Sequence, residues 1–418
     1  MGSTDADPTD ANDPLAWARD HAPVLGEFVA ADRERRPFDG YTVAVASHLE
    51  ASTGVFIETL HEAGAAVLFA PSEPESTHGE VVRELDRREG VEAFAREGMT
   101  DEEFADAQHS LLEREPDLIC DDGCELIAKV HADHPEVARV VVGGCEQTTA
   151  GIHRLEAMDD DGVLAFPVYG VNDTPMKRLF DDVHGTGESS LANVMITTNA
   201  TIAGKTVVVA GYGHCGRGIA RKARALGAHT VVTEVDPRKA LQAHVDGHRV
   251  ATMAEAAPEG DLFVTGTGNR DVIREEHVRE MADGATLANS GHFDVEIALP
   301  DLERMAERTS TPTAGVTRYH LPDGRRIDLL AEGRLVNLTG PYSQGHPIEV
   351  MDTTFGAIYA AARDLLDADL AAGLYSVPDR LDRLVAERKL DALGLSVDEL
   401  TAAQAEYYDD WEHADSSF

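Results

Sequence analysis

Lysine is scarce in this chain. Six lysines accompany thirty arginines, and these 36 cations face 76 Asp and Glu, for a formal net charge of −40. A surface of that sign repels phosphate backbones and anionic headgroups, which excludes nucleic acid and membrane surfaces as partners. Cysteine is sparse too: Cys120, Cys124, Cys145 and Cys215 lie in or beside apolar runs of a 418-residue chain. Cys120-x3-Cys124 lacks the second pair that a zinc site needs, so no metal is expected, and free thiols fit a reduced cytoplasm. Aromatics amount to 6%, and no apolar run reaches the roughly 18 residues that span a bilayer. Residues 1–20 are acidic without an apolar core segment, so no secretory leader is expected. Nucleophile elbows and P-loops are absent.

What is present points to an ordinary globular interior. Hydrophobic residues make up 43% of the chain and occur in periodic blocks, and the length suits two or three domains at roughly 150 residues each. Acids are spread over the whole chain, the pattern of a surface adapted to high salt. At molar salt the Debye length is about 3 Å and the self-repulsion is screened, which predicts lower stability in dilute buffer.

Short β-branched runs at 41–46, 65–70, 117–120, 139–142 and 163–168 alternate with amphipathic stretches such as 54–63 and 80–96. That alternation predicts a parallel, doubly wound sheet. A helix over 175–200 leads to a second series of strands at 206–210, 230–233, 262–265, 286–289 and 333–338. Beyond Gly345 the chain reads as helical through Leu366, with a charged region after it. The expected fold class is α/β, with two doubly wound parallel-sheet domains in tandem. The expected boundaries are 1–185 and 186–343, then a helical return over 344–375 and an extension over 376–418.

Ligands of open α/β sheets bind beyond the carboxyl ends of strands. Five successive expected strand ends carry polar clusters: Ser47-His48; Ser72, Glu73, Ser76, Thr77 and His78; Asp121-Asp122; Glu146-Gln147-Thr148-Thr149; Asn172-Asp173. Polar βα loops are common, yet the repetition predicts convergence on one crevice. Thr174-Pro175 reads as a helix start that puts Lys177 and Asp181 on one face, where an exposed i,i+4 pair would be worth only about 0.2 to 0.5 kcal/mol. The sharpest motif is Val207-Val208-Val209-Ala210-Gly211-Tyr212-Gly213-His214-Cys215-Gly216, a strand, G-x-G-x-x-G and a helix. Gly211 serves the tight turn, Gly213 the approach of a pyrophosphate, and Gly216 the packing of helix on strand. Glu234, ending the next strand, is placed for ribose hydroxyls and favours NAD over NADP. Thr265-Gly266-Thr267-Gly268-Asn269 should lie beside the cofactor. His48, His292 and His346 are acid-base candidates.

Asp121-Asp122-Gly123, Glu146-Gln147-Thr148-Thr149, Asn172-Asp173-x3-Lys177-x3-Asp181, Gly211-Tyr212-Gly213, Gly291-His292-Phe293-Asp294-Val295-Glu296, the run 330–338 and Gly345-His346-Pro347 occur in this order. Together they resemble the S-adenosylhomocysteine hydrolase (adenosylhomocysteinase) family over residues 43–412. The resemblance implies an NAD-binding Rossmann domain inserted into a substrate domain, a homotetramer holding NAD tightly, and hydrolysis of a nucleoside thioether through transient oxidation at C3′. It implies that Lys177 and Asp181 hold the 3′-hydroxyl, that Asp122 lies near C4′ and C5′, and that His48 and His292 flank the leaving group and ribose. Glu50, Gln147 and His346 fall at further substrate positions. Thr148, Thr149, Ala150, Asp182, Gly211, Gly213, His214, Cys215, Gly216, Arg217, Gly218, Glu234, Asn269, Ser290, Gly291, His292 and Asn337 fall at cofactor positions.

Several residues depart from the family pattern. Gln147 replaces the second of two glutamates, Ala150 the third threonine, and Asp182 an asparagine. Ser52 stands where relatives carry Lys or Glu, Ser72-Glu73 replaces Cys-Asn, and Lys389 is the last lysine, so the family's Lys- and Tyr-bearing tail is not matched. Two readings besides S-adenosylhomocysteine hydrolysis stay open: another substrate such as S-inosylhomocysteine, and an NAD-binding regulatory paralogue.

Overall fold

The computed structural model describes residues 13–409. The first sheet contains β1 (Thr42–Ser47), β2 (Ala66–Pro71), β3 (Val91–Ala93), β4 (Leu118–Asp121), β5 (Gly143–Glu146) and β6 (Pro167–Gly170). The second contains β7 (Thr206–Ala210), β8 (His229–Thr233), β9 (Arg249–Val250), β10 (Leu262–Thr265), β11 (Ala285–Asn289), β12 (Arg308–Thr313), β13 (Val316–His320) and β14 (Arg326–Leu330). The chain then returns through the helix Ile348–Leu365 to β15 (Gly373–Ser376), which pairs in parallel with β6. The strand orders are β15-β6-β5-β4-β1-β2-β3 and β12-β13-β14-β11-β10-β7-β8-β9. Each sheet reverses its winding once, between β1 and β4 and between β7 and β10, and a crevice opens there beyond the strand ends.

Apolar alternation explains why both sheets are buried on two faces. Val43 and Val45 point into one layer while Ala44 and Ala46 point into the other. The returning helix fills the first layer with Phe355, Ile358 and Tyr359, and Phe355 stacks on Phe56 with ring centres 4.9 Å apart. Its Asp352 accepts the backbone N–H groups of Val24 and Leu25 at 3.1 and 3.0 Å, tying down the start of the helix Pro23–Asp32. Among the described residues no helix is long and apolar enough to cross a membrane.

Several expected elements shift. The valine run at 139–142 is a turn, and the strand is Gly143–Glu146. A β-carbon on Gly143 would sit 3.0 Å from Leu365, so the returning helix leaves no room for the β-branched residues that usually mark a strand. The strand expected at 163–168 begins only at Pro167. The helix expected over 80–96 stops at Leu85; Gly90, at φ +87°, turns the chain into edge strand β3. The strand expected at 333–338 is a turn, with Glu332 at φ 54° and one bridge from Leu335 to Asn289. The second sheet is instead extended by the antiparallel β12–β14 meander, whose polar sequence hid it; Arg318 donates to Asp328 across two of its strands at 2.7 Å.

Candidate active site

One cleft of about 1130 Å³ runs between the strand ends of the two sheets. On the first wall, His48 follows β1 and is buried, its Nδ1 2.8 Å from Ser76 Oγ. Ser76 donates to the Glu73 carbonyl at 2.7 Å, so it accepts from Nδ1–H of His48. The tautomer assigned from this network leaves Nε2 bare, 3.4 Å from Asp122 Oδ2. Burial lowers the His48 pKa to about 4, outweighing the pull of Asp122. His292 arrives from the loop after β11, with Nδ1 3.8 Å from Asp122 Oδ1. It lies so close to Gly123 that a β-carbon there would sit 2.5 Å from its Nε2. Donor atoms of His48, Asp122 and His292 all fall within 4.8 Å of one another, a set close enough to hold a metal ion. A search based on cysteine spacing could not have disclosed that grouping.

Asp122 is held from beneath. Asp121 and Glu146 are register partners at the ends of β4 and β5. Glu146 accepts the N–H groups of Gly123, Cys124 and Thr148 at 3.0, 2.7 and 2.8 Å, and Asp121 accepts those of Asp122 and Ile127 at 3.0 and 2.9 Å. Burial pushes Asp121 up to about 7, and burial with the Asp121 charge pushes Glu146 well above the carboxylate range. A β-carbon at Gly151 would meet the Glu146 carboxylate at 2.2 Å, so glycine is required there. Gln147 Nε2 then donates to Asp122 Oδ2 at 2.7 Å.

Lys177 stands on a π-helix, Lys177–Gly185, rather than on the α-helix expected. The wider i→i+5 turn lets both Asp181 and Asp182 face it. Lys177 Nζ pairs with Asp182 Oδ1 and lies 3.6 Å from Asp181 Oδ2. Burial opposes its charge, but the two carboxylates outweigh burial and hold it protonated. Asp181 also receives His346 Nδ1 and the Thr354 hydroxyl, the latter at 2.9 Å. Burial works against its charge, yet Lys177 and His346 bring its pKa below the carboxylate range, and Asp181 in turn raises that of His346 despite burial. Glu50, its carboxyl accepting from Ser52 at 2.6 Å, is pushed up to about 7 by burial.

The second wall opens on a glycine turn. Gly211 turns at φ +94°, and a β-carbon on Gly213 would meet nothing within 4 Å, so this stretch faces open space. Glu234 is oriented by the N–H groups of Tyr212, Val235 and Asp236 at 2.7, 2.6 and 2.9 Å. Buried His214 Nδ1 and Asn337 Oδ1 have no hydrogen-bond partner. An elongated cleft, a glycine turn at a helix start, an acid at the next strand end and unspent polar atoms fit a dinucleotide.

The structure brings His48, Glu50, Asp122, Gln147, Lys177, Asp181, His292 and His346 to the cleft. The same cleft is lined by Thr148, Thr149, Ala150, Asp182, Gly211, Gly213, His214, Cys215, Glu234, Asn269, Ser290, Gly291 and Asn337. Gly216, Arg217 and Gly218 are not part of its lining. A β-carbon on Gly216 would lie 2.0 Å from the Gly211 carbonyl, and one on Gly218 would lie 2.1 Å from that of Val183, so both glycines serve packing. Sequence reasoning missed Thr354, which sits in an apolar helical run, and gave no role to Glu296. The Glu296 carboxylate accepts the backbone N–H groups of Thr267 and Gly268 at 2.9 and 2.8 Å and shapes that loop.

Two switch-point crevices sharing one cleft, with a dinucleotide cradle facing a buried Lys–Asp–His set, define an NAD-binding α/β enzyme. Residues 182–342 match the profile described as "S-adenosyl-L-homocysteine hydrolase, NAD binding domain", and residues 12–141 match "S-adenosyl-L-homocysteine hydrolase". The chain is 50% identical over 404 residues to an S-inosyl-L-homocysteine hydrolase of Methanopyrus kandleri, covering 96% of this chain and 94% of that one. It is 49% identical over 407 residues to an adenosylhomocysteinase of Haloquadratum walsbyi, covering 97% and 94%. The S-inosyl-L-homocysteine hydrolase of Methanosarcina mazei is 46% identical over 398 residues, covering 95% and 96%. The chain belongs to the S-adenosylhomocysteine hydrolase family and is a hydrolase with an NAD-binding domain.

Proposed function

We propose that this cytoplasmic enzyme reversibly hydrolyses S-adenosyl-L-homocysteine to adenosine and L-homocysteine. The observation that carries this reading is the pairing of Lys177–Asp181–His346 with Asp122–His48–His292 across a cleft that continues into the glycine cradle. The C5′–S bond is unactivated, and a ketone at C3′ makes the C4′ hydrogen acidic. Bound NAD supplies the reversible two-electron oxidation at C3′. Lys177, kept cationic, donates to the 3′-oxygen and stabilises its developing negative charge, while Asp181 and His346 orient it. Asp122 takes the C4′ proton as the C4′=C5′ bond forms and the C5′–S bond breaks. The departing thiolate takes that same proton, held between Asp122 Oδ2 and the bare Nε2 of His48. Water then adds its oxygen to C5′ and a proton to C4′ through the same groups, and reduction at C3′ closes the cycle without net redox.

The base end of the cleft leads to a second reading, S-inosylhomocysteine. Glu50, Thr53 and Met351 line the cleft together with Asp181. A neutral Glu50 carboxyl donates to a ring nitrogen and accepts from an exocyclic amine, the pattern of adenine. The carboxylate instead accepts from the N1–H of hypoxanthine. The two groups of relatives divide over the same two substrates.

An assay in molar KCl with both thioethers, following released thiol and NADH absorbance together, tests the proposal. Thiol release from the adenosyl compound without net NADH accumulation supports it, and release from the inosyl compound alone transfers the assignment. NADH accumulation without thiol places the block at elimination. Silence with both substrates, in folded protein carrying NAD, overturns the hydrolase reading. A homo-oligomer, expected as a tetramer, would scatter light as about four times the 45.0 kDa chain.

A further inference from the structure

We propose that Asp182 makes the cleft select the oxidised, positively charged form of the nicotinamide dinucleotide over the reduced, neutral form. This rests on the NAD-dependent reading above. Asp182 is 4% exposed and lines the same cleft as Gly211, Gly213 and Cys215. The π-helical turn that aims it at Lys177 also separates its role from that of Asp181. Asp181 is shared among Lys177, His346 and Thr354, whereas among the described residues Asp182 receives Lys177 alone.

The surrounding charges leave Asp182 the less neutralised carboxylate. Lys177 is the one cation on its own helix face and is divided between two acids. From the facing helix, His214 is kept neutral by burial, and burial pushes the Cys215 thiol up to about 12, so neither adds a charge near neutrality. His346 spends its proton on Asp181. A buried carboxylate with part of its charge uncompensated stabilises a further cation in the same low-dielectric space. Lys177 belongs at the reacting carbon, so the dinucleotide's nicotinamide end is the part that must come near it. Reduction removes the positive charge from that ring and with it this attraction. Asp182 thereby favours the resting, oxidised state at the close of each cycle, a task that geometry at Lys177 alone does not perform.

Equilibrating the full-length holoenzyme with defined NAD+ and NADH mixtures in molar KCl, then reading the bound ratio after free nucleotide is removed, tests the proposal without turnover. Asp182→Asn should lower the bound NAD+/NADH preference about tenfold, and Asp182→Glu should keep it within about threefold. Lys177→Gln, which unmasks Asp182, should raise it and serves if Asp182→Asn does not fold. Glu113→Gln, exposed at the end of the helix Asp101–Leu112 and outside the cleft lining, should leave it unchanged. An Asp182→Asn ratio equal to wild type, or a Lys177→Gln ratio that does not rise, would overturn the proposal and leave Asp182 as a clamp for Lys177. Wild-type protein that holds neither nucleotide would overturn the cofactor reading itself, a result distinct from an unmoved ratio.

Discussion

The wall of the cleft built by the first sheet gathers buried titratable side chains, and the wall built by the second presents glycine turns and loop N–H groups held by carboxylates. On the first, Asp121, Asp122, Glu146, Lys177 and Asp181 are each 6% exposed or less, and each is held by named hydrogen bonds or ion pairs. On the second, Gly213 and Gly266 leave space, and the carboxylates Glu234 and Glu296 bind loop N–H groups. The contrast follows the tasks. Moving protons at C3′ to C5′ needs groups whose charge is set by their surroundings, whereas holding a pyrophosphate needs close backbone approach and donors already pointing outward. A substitution on the first wall should therefore change chemistry, and one on the second should change occupancy.

The largest test removes the cation of the first wall. Lys177→Met leaves Asp182 without its cation and Asp181 with His346 and Thr354 alone; thiol release should fall about 1000-fold or more and the melting temperature should drop, because breaking a buried pair costs about 3 to 5 kcal/mol. Lys177→Arg should recover most of the stability and little of the rate. A Lys177→Met enzyme retaining a tenth of wild-type turnover would remove the distinction between the walls.

The second wall is probed by two glycines in one loop. Gly213→Val projects into open cleft, so the fold should melt as wild type while NAD affinity falls about 100-fold or more, a loss of about 2.7 kcal/mol. Gly216→Ala drives a carbon to 2.0 Å from the Gly211 carbonyl and should destabilise the domain itself by about 2 kcal/mol or more. Calorimetric melting and NAD titration of both variants would separate ligand space from packing space.

A smaller effect is expected from charge as a whole. At −40, lowering KCl from molar to about 0.1 M should reduce the melting temperature by about 10 °C or more as the Debye length grows from about 3 to about 10 Å. The ion pairs of the first wall lie out of reach of that screening, so the Lys177 variants should lose the same increment at either salt.

Glu50 gives the smallest test. Its pKa in the fold, about 7, is raised from the ordinary 4.5, so the native state binds a proton the unfolded chain has released. Its favourable contribution is complete below pH 4.5 and is lost as pH rises through about 7. Glu50→Gln should therefore stabilise the protein by about 1 to 3 kcal/mol at pH 8.5 and by less at pH 6. The wild-type preference for adenosyl over inosyl substrate should fall over the same interval and be flat in the variant. A slope that persists in Glu50→Gln would place base selection elsewhere.

By itself the amino-acid sequence determined that two doubly wound sheets follow one another and that one carries a dinucleotide turn. The resemblance carried by its motifs also marked His48, Asp122, Lys177, Asp181 and His292 as candidates, and all five line one cleft. Those features are local: β-branched runs, G-x-G-x-x-G and polar strand ends depend on neighbours a few positions away. Tertiary structure alone decided that β5 is a pair of glycines under Leu365, that polar segments 308–330 form three paired strands, and that Thr354 completes the Asp181 site. It also decided that Lys177 rides a π-helix, because one extra residue per turn changes which side chains share a face without altering the composition of the segment. Each of these was settled by a contact between residues far apart in the chain or by a backbone choice that packing imposed, and hydrophobic periodicity carries no record of either.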